Sequence, residues 1–529
     1  MKKLLTAAQA READRYTCEQ IGIPSMVLME TASMAVRDSV LHFLQQGRAA
    51  DELSHSRVLA VCGSGNNGGD GAAAARLLLM KGIHAEVFFA GNEEHGTEQM
   101  KAQLSIFEKL GGKVYRQVPP DFGTYDVLID ALLGIGLSRP VEGKTALWID
   151  RINEASRKDK VHVISVDIPS GVCADNGKTG GVCVHADETV TFSYLKRGHI
   201  QYPGRENCGV VHLCEASICM EPASGSKGAD REDACAFTLD TEDVKRLLPK
   251  RVRRSNKGTY GRAVIAAGCR NMAGAAVLCG RAAMNTGVGL VQFLSDETNR
   301  VILQSSVPEA VYTPVLRTTE YKNILSKASA VGIGPGLGTS AGAAFLLKRV
   351  LENRGGKTLV IDADALNLLS ENGRKISGEE DLAEEPADPV RSGVIITPHP
   401  GEMSRLTGLG VPAILDDPVR AAMTYAKQNN LICVLKDAST IVTDGRRLYI
   451  NQSGCGGMST AGSGDVLTGI ITALAAQGLD AFTAAYLGVY IHGLAGERAS
   501  SQWGERGMTA MDIVEAVKWV LREYAQESI

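Results

Sequence analysis

Two glycine-rich segments, one towards each end of the chain, constrain its fold more than anything else in it. The first is Gly63-Ser64-Gly65-Asn66-Asn67-Gly68-Gly69-Asp70-Gly71, between the apolar run Val58–Val61 and the alanine-rich run Ala72–Met80. The second is Gly456-Gly457-Met458-Ser459-Thr460-Ala461-Gly462-Ser463-Gly464-Asp465, which opens the apolar stretch Val466–Ala476. Glycines at a strand-to-helix turn let backbone N–H groups close on an anion, and the helix N-terminus adds partial positive charge. Each segment also carries a carboxylate, Asp70 or Asp465, which a plain phosphate holder does not need. Two such segments predict two α/β units, each with a site for a phosphorylated ligand.

The rest of the sequence agrees. With 529 residues the chain is too long for one core. Short apolar runs at Val58–Val61, Glu86–Ala90, Asp126–Ile129 and Val163–Val166 suit parallel strands buried on both faces. Helical periods at Asp70–Met80 and Glu98–Leu110 separate them, which is the rhythm of a Rossmann-like doubly wound sheet. Ala7–Tyr16 and Ser25–Leu44 read as amphipathic helices ahead of it, with Ser25 as an N-cap. The pattern dissolves from Glu215 to Asp233, and we expect domains over residues 1–220 and 240–529, joined by residues 221–239. In the second half strands are expected at Ala263–Ala267, Leu290–Leu294, Ala328–Gly332, Thr358–Asp362, Val394–Pro398, Ile432–Lys436 and Ile441–Thr443. Helices are expected at Gly274–Thr286, Ala341–Leu351, Asp465–Ala476, Ala481–Arg498 and Met508–Glu523, with the acidic stretch Glu379–Asp388 as a solvated loop.

Composition excludes several classes. A net charge of −4 gives no reason to expect a nucleic-acid or anionic-membrane partner. Met1-Lys2-Lys3 and Leu4–Ala10 begin like a signal peptide, but Arg11, Glu12, Asp14 and Arg15 interrupt it, and no apolar run reaches membrane-spanning length. None of the twelve cysteines falls in a C-x-x-C pair, so reduced thiols and a cytoplasmic location are expected. Cys62, beside the first glycine segment, lacks a local base and reads as a packed thiol.

Two further motifs accompany the first glycine segment. Asp130-Ala131-Leu132-Leu133-Gly134-Ile135-Gly136-Leu137-Ser138-Arg139-Pro140 follows one strand, and Asp167-Ile168-Pro169-Ser170-Gly171 ends another. In an open α/β sheet ligands sit at the carboxyl ends of strands, where all three would meet. Together they resemble the N-terminal epimerase domain of the NAD(P)H-hydrate repair enzymes over roughly residues 5 to 215. That resemblance implies interconversion of R and S hydrates of NADH or NADPH at C6 of the nicotinamide ring. It implies that Asn66, Asn67, Gly68, Gly69 and Asp70, with Gly134, Ile135, Gly136, Leu137, Ser138, Arg139 and Pro140, line the dinucleotide. It also implies that Asn67, Asp130 and Ser170 hold a potassium ion, and that Asp167 faces the reacting ring with Lys196 as its partner.

The second half carries Lys257–Gly261, Ala267–Ala275, Gly332–Gly338, Ile361-Asp362-Ala363-Asp364-Ala365-Leu366-Asn367, Thr397-Pro398-His399-Pro400-Gly401-Glu402 and Lys436-Asp437-Ala438-Ser439-Thr440 before the second glycine segment. Phosphoryl transfer needs charge stabilisation and an in-line acceptor more than covalent help, and the amides of Ala461 to Gly464 with the Asp465 carboxylate are suited to give them. The set resembles the ribokinase-like superfamily, and specifically the ADP- or ATP-dependent NAD(P)H-hydrate dehydratase domain over roughly residues 240 to 525. By that resemblance Lys436, Asp437, Ala438, Ser439, Thr440 and Gly464 hold ADP, or ATP in its place, as phosphoryl donor. Ala275, Gly336, His399 and Asp465 face the hydrate, Asp465 is the base, and a magnesium ion bridges the phosphates. His399 alone would read as a core histidine; its place between two prolines at a strand end favours ligand contact. Asp362 and Asp364 rank below Asp465 and read equally well as turn residues.

The reading is therefore a bifunctional isomerase and lyase, whose partners are the small-molecule hydrates and ADP. It implies no nucleic acid and no membrane, and self-association into a homo-oligomer. The alternatives are a vitamin-precursor kinase fused to a dinucleotide-sensing Rossmann domain, and a dinucleotide sensor without turnover.

Overall fold

The computed structural model describes residues 1–46, 52–117, 119–137, 139–220, 236–315, 320–371 and 393–524. The chain divides into two compact units, Lys2–Arg231 and Glu232–Ile529. Both are α/β, as the alternation of strand and helix periods predicts.

In the first unit a parallel sheet runs, in spatial order, Lys113–Tyr115, His84–Phe89, Arg57–Cys62, Val127–Ala131, His162–Val166, Glu188–Phe192 and Val210–Cys214. Counted from Arg57–Cys62, that order is 3-2-1-4-5-6-7, the doubly wound arrangement whose direction reverses between Arg57–Cys62 and Val127–Ala131. Ligands bind at the carboxyl side of such a reversal, where the loops Gly63–Gly65 and Leu132–Gly134 emerge. A separate parallel pair joins Lys2–Leu5 to Leu195–Lys196, with Leu5 opposite Lys196. Helix Asn66–Leu79 buries Ala72, Ala73, Ala74 and Ala75 completely. Such small residues let the helix lie close on the sheet: a Cβ at Gly71 would sit 2.4 Å from the Cβ of Ala131.

The second unit orders its strands Val311–Pro314, Leu290–Ser295, Arg262–Ala266, Ala330–Ile333, Thr358–Ile361, Val394–Ile396, Ile432–Leu435, Ile441–Thr443, Leu448–Ile450 and Ala236–Thr238. Ile441–Thr443 is antiparallel to both neighbours, and the other pairings are parallel. Helix Ser463–Ala476 is buried at every position from Val466 to Ala476, as a helix apolar on all sides must be. It lies against helix Ala273–Asn285, where a Cβ at Gly469 would fall 2.2 Å from the Cys279 carbonyl oxygen.

Several expectations shift. The glycine-rich helix starts at Asn66 rather than Asp70, so the motif forms its first turn. Ser25 does not cap its helix: Pro24 occupies the N-cap, and the Ser25 hydroxyl instead accepts from Gln99 Nε2 at 3.0 Å. Helix Gly143–Asp159 was not expected, because only Ile149, Ile152 and Ala155 mark its buried face. Ala236–Thr238, expected in the connecting segment, is a strand. The stretch Glu379–Asp388 and residues 221–235 lie outside the described residues.

Candidate active sites

The first site is built around a sheet reversal held together by backbone contact. A Cβ at Gly63 would lie 2.0 Å from the Leu132 carbonyl oxygen, and one at Gly68 would lie 2.1 Å from the Gly63 carbonyl oxygen. Only glycine permits this closeness, which leaves the first N–H groups of helix Asn66–Leu79 beside the loop after Ala131. Asn67 crosses the gap and donates from Nδ2 to the Leu133 carbonyl at 3.0 Å. Ser170 reaches the same residue from the next strand end, accepting from Leu133 N at 2.9 Å. Asp130 is completely buried and accepts from Ser170 Oγ at 2.6 Å, Ser170 N at 2.8 Å and Ser165 Oγ at 2.8 Å. Burial pushes its carboxyl above the ordinary value and those hydrogen bonds pull it back, with no cationic side chain among the described residues contributing. Asn67 and Ser170 therefore meet at Leu133, with Asp130 behind Ser170, and the three bring together an amide, a carboxylate and a hydroxyl. A buried carboxylate without a cationic side chain suits a weakly hydrated monovalent ion held by oxygen ligands.

A cavity of about 1740 Å³ opens onto this arrangement. Asn66, Asn67, Asp70, Gly134, Ile135, Gly136, Leu137, Arg139, Pro140, Asp167 and Lys196 line it. Gly68 and Gly69 are buried: the first packs on Gly63, and a Cβ at the second would meet Met29 Cε at 2.6 Å. Ser138 lies outside the described residues.

Asp167 follows strand His162–Val166 with φ at 65°, in the left-handed region that a non-glycine residue adopts only when its surroundings fix it. Its N–H donates to the Val190 carbonyl at 2.7 Å, and its Oδ1 accepts from Thr191 Oγ1 at 3.0 Å and from the Lys196 ammonium. Lys196 Nζ also donates to Thr191 Oγ1 at 2.8 Å. Behind them His199 Nδ1 accepts from Lys196 N at 3.0 Å while Nε2 donates to the Asp167 carbonyl at 2.8 Å. Burial, reinforced by the nearby ammonium, lowers the imidazole to about 4, so it stays neutral and acts as a brace. His199 escaped the sequence reading because a histidine three residues after a lysine signals nothing by itself. The half-buried Asp70 is pushed well above the ordinary range, by burial first and then by the charges of Asp167 and Asp14.

In the second unit Asp465 stands in the first turn of helix Ser463–Ala476, whose N-cap Gly462 takes φ 90°. Burial raises its carboxyl to about 7, with Asp362 and Asp364 adding to the rise and Lys436 opposing it. That places a base near neutrality beside N–H groups suited to an anion. Lys436 leaves strand Ile432–Leu435 and is held by Asp362 Oδ1 at 2.8 Å and Glu402 Oε2 at 3.7 Å. Burial works against its ammonium, but these carboxylates outweigh it and the group is raised. A Cβ at Gly464 would lie 3.3 Å from Lys436 Nζ, so the lysine abuts the glycine turn. Asp362, buried under Thr468 Oγ1 at 2.8 Å, anchors the lysine; Asp364 accepts from Gly338 N at 2.8 Å. Asp437 to Thr440 form the hairpin loop beyond Lys436, where Thr440 Oγ1 donates to the Asp437 carbonyl at 3.0 Å.

Ala275 and Gly336 meet: Gly336 has φ 56°, and a Cβ there would sit 2.8 Å from Ala275 Cβ. His399 is not a core residue. It is exposed and caps helix Pro400–Thr407, its Nδ1 accepting from Gly401 N at 3.0 Å while its own N–H donates to Glu402 Oε2 at 2.8 Å. His492, a buried residue of helix Ala481–Trp503 absent from the sequence reading, lies 3.3 Å from Ser463 Oγ and is lowered by burial to about 4. Among the described residues no cluster of three or more His, Cys, Asp or Glu is arranged for a metal ion, and no helix is long and apolar enough to cross a membrane.

The fold and the two sites define a two-domain α/β enzyme, one domain Rossmann-like and the other ribokinase-like, each with a glycine-rich helix start beside an acid and a lysine. Family models match both parts: YjeF-related protein N-terminus over residues 25–198, and NAD(P)H-hydrate dehydratase over residues 263–518. The bifunctional NAD(P)H-hydrate repair enzyme Nnr of Moorella thermoacetica is 35% identical, the alignment covering 99% of this chain and 97% of that one. The Escherichia coli protein of the same name is 33% identical over 90% and 88% of the respective chains. A ribokinase-like superfamily protein of Enterococcus faecalis matches 56% of this chain and 100% of its own with a TM-score of 0.50 at 27% identity. The chain belongs to the family of bifunctional NAD(P)H-hydrate repair enzymes.

Proposed function

We propose that the chain repairs hydrated NADH and NADPH in two steps. The first unit interconverts the R and S hydrates at nicotinamide C6, and the second converts the S hydrate back to NAD(P)H with ADP as phosphoryl donor. The observation that carries this reading is the pairing, in one chain of this family, of a dinucleotide-sized cavity ending at Asp167 and Lys196 with an anion-binding turn ending at Asp465.

In the first unit the dinucleotide is held by Asn66 to Asp70 and by Gly134 to Pro140, Ser138 included, with the nicotinamide ring towards Asp167. Lys196 and Thr191 keep one Asp167 oxygen in place, leaving the other for the ring. Potassium fits beside Asn67, Asp130 and Ser170, where it would balance the buried carboxylate and help order the loop meeting the phosphates.

In the second unit Lys436 to Thr440 and Gly464 hold ADP, or ATP in its place. The hydrate lies against Ala275, Gly336 and His399. Asp465 takes the proton from the C6 hydroxyl as that oxygen bonds to the terminal phosphorus of ADP, and AMP departs. The C6–O bond then breaks, phosphate leaves with the bonding pair, and the C5 proton passes to water as its C–H pair forms the C5–C6 double bond. An ion such as Mg²⁺ bound chiefly through nucleotide phosphates needs few protein ligands, in keeping with the absence of a metal-ligand cluster among the described residues. The domains are assigned to residues 1–220 and, since strand Ala236–Thr238 belongs to the second unit's sheet, from there to residue 529, the location to the cytoplasm, and the assembly to a homo-oligomer.

Incubating the protein with a mixture of R and S hydrates tests the reading. With ADP both epimers should disappear and NADPH absorbance return, with AMP and phosphate in equal amounts. Without ADP an isolated R hydrate should only equilibrate with S. Turnover of neither epimer under either condition refutes it.

A further inference from the structure

One carboxylate that acts with Asp70 and Asp167 lies outside the motifs that carry them. Asp14 lies on helix Ala7–Tyr16, ahead of the segment matched by the N-terminal family model, yet it lines the same cavity as Asp70, Asp167 and Lys196. Its position is fixed from both ends. Strand Lys2–Leu5 pairs in parallel with Leu195–Lys196, placing Leu5 opposite the lysine that grips Asp167. The helix begins one residue later behind a Thr6 capping box, and Ala7 N donates to Asp175 Oδ1 at 2.6 Å. At the far end Thr17 Oγ1 accepts from Cys219 N at 2.8 Å. Asp14 is thus held in register with Lys196 by the strand that carries its helix.

The charges there do not balance. Lys196 is the cation that acts on both Asp14 and Asp70, and it is already committed to Asp167 through Oδ1. Such interacting carboxylates titrate as a group, and the last ones ionise with difficulty. The neighbours that act on Asp14 are Asp167 and Lys196, with the Cys18 thiol and Asp70 beside them. Asp70 is packed at the helix start, whereas Asp14 stays open to the cavity. The Asp14 side chain is exposed where the cavity opens, so its desolvation is only partial; that partial desolvation, followed by the charge of Asp167, lifts its carboxyl to about 6.

We propose that Asp14 is a second catalytic residue of the epimerase site, the acid that protonates the C6 hydroxyl of the hydrate and the base that takes that proton back. This rests on the epimerase reading above. Asp14 gives its proton to the C6 oxygen, the C6–O bond breaks with its electron pair leaving on water, and the ring-nitrogen lone pair forms the C6–N double bond. The cationic ring lies beside the Asp167 carboxylate. Water then adds to the other face of C6, the C6–N π pair returns to nitrogen, and the surplus proton returns to Asp14. The net change is inversion at C6, with no proton or electron gained or lost.

The test uses the full-length chain, a purified R hydrate, and Asp14→Asn and Asp14→Glu variants. Asp14→Asn should lower the epimerisation kcat by about 10²–10⁴-fold with KM little changed, and Asp14→Glu should recover part of the loss. In the wild type kcat should fall as pH rises through about 6, because the acid form is consumed; in Asp14→Asn that fall should vanish. An active wild type with an equally active Asp14→Asn overturns the proposal alone. So does a slower Asp14→Asn that keeps the wild-type pH profile, which would mark a structural role. A wild type that interconverts nothing, while still dehydrating the S hydrate, overturns the epimerase reading and this proposal with it.

Discussion

Replacing Asp465 with Asn separates catalysis from stability in the second unit. The carboxyl stands at about 7 against an ordinary 3.8, chiefly through burial and secondarily through the charge of Asp362. Between those two values the folded chain keeps a proton that the unfolded chain has released. Stability contributed by the neutral form is therefore complete below pH 4 and is lost as pH rises to about 7. At about 1.4 kcal/mol per pH unit the whole loss is on the order of 4 kcal/mol. The half-buried side chain keeps some solvent, so about 2–4 kcal/mol is expected. Asn carries no charge and escapes the loss. Asp465→Asn should match the wild type near pH 4 and exceed it at pH 8, by roughly 4–8 °C in the melting temperature of that unit. It should also abolish ADP-dependent dehydration while leaving epimerisation intact. Thermal unfolding followed by tryptophan fluorescence is suitable, since Trp503 and Trp519 both lie in the second unit and Trp148 alone in the first. A variant no more stable than wild type at pH 8, or a stability difference independent of pH, refutes the assignment of Asp465 as a carboxylate held near neutrality.

Three further outcomes follow from the same geometry. The dehydration kcat should rise as pH increases through about 7, where Asp465 becomes an available base; a flat profile over pH 5.5–8.5 would contradict that role. Exchanging potassium for sodium should slow epimerisation more than dehydration, and Asp130→Ala should remove the difference. Because that change strands buried donors of Ser165 and Ser170, it should also lower the first unit's stability by about 2–4 kcal/mol in urea titrations. Gly68→Ala should disable epimerisation and cost about 1–3 kcal/mol or more, since its Cβ would fall 2.1 Å from a backbone oxygen that has no room to yield; wild-type epimerase rates in that variant would show that the turn can relax.

The strands legible in the sequence are those buried on both faces, because parallel strands under helices have no polar face to interrupt the run. Arg57–Cys62, Val127–Ala131 and Ile432–Leu435 are of this kind. Edge elements escaped for the opposite reason. Lys113–Tyr115 and Val210–Cys214 keep partly exposed residues, and Val311–Pro314 ends in a proline that an edge tolerates. Helix Gly143–Asp159 escaped because three buried positions among charged ones give a weak period, and Ser25 misled because proline at the preceding position already fixes the helix entry.

The candidate sites stand out in the sequence where chemistry demands a local pattern. A glycine turn beside a carboxylate has to be contiguous, because the backbone N–H groups and the acid act on the same few ångströms; hence Asn66 to Asp70 and Gly462 to Asp465 stand out in the sequence. What cannot be read there is any partner supplied by topology. Lys196 and Asp14 are separated by most of the first unit and become neighbours only because Lys2–Leu5 pairs with Leu195–Lys196. Lys436 and Asp362 meet because the strands that end just before them, Ile432–Leu435 and Thr358–Ile361, flank Val394–Ile396 in one parallel run and so end on the same side of the sheet. His399 illustrates the converse. Its prolines marked it as unusual, and they are unusual because they set up a helix start: the imidazole caps Gly401 N through Nδ1, and its other nitrogen, Nε2, stands 3.7 Å from Glu402 Oε1 on the side a ligand would approach. A ligand that accepts from Nε2–H would keep that cap, whereas one that needs an acceptor would have to break it. The cap therefore biases His399 towards donating to the hydrate, and His399→Gln, which retains a donor but not the ring geometry, should raise the dehydratase KM more than it lowers kcat. A kcat loss with unchanged KM would show instead that His399 acts only on the transition state.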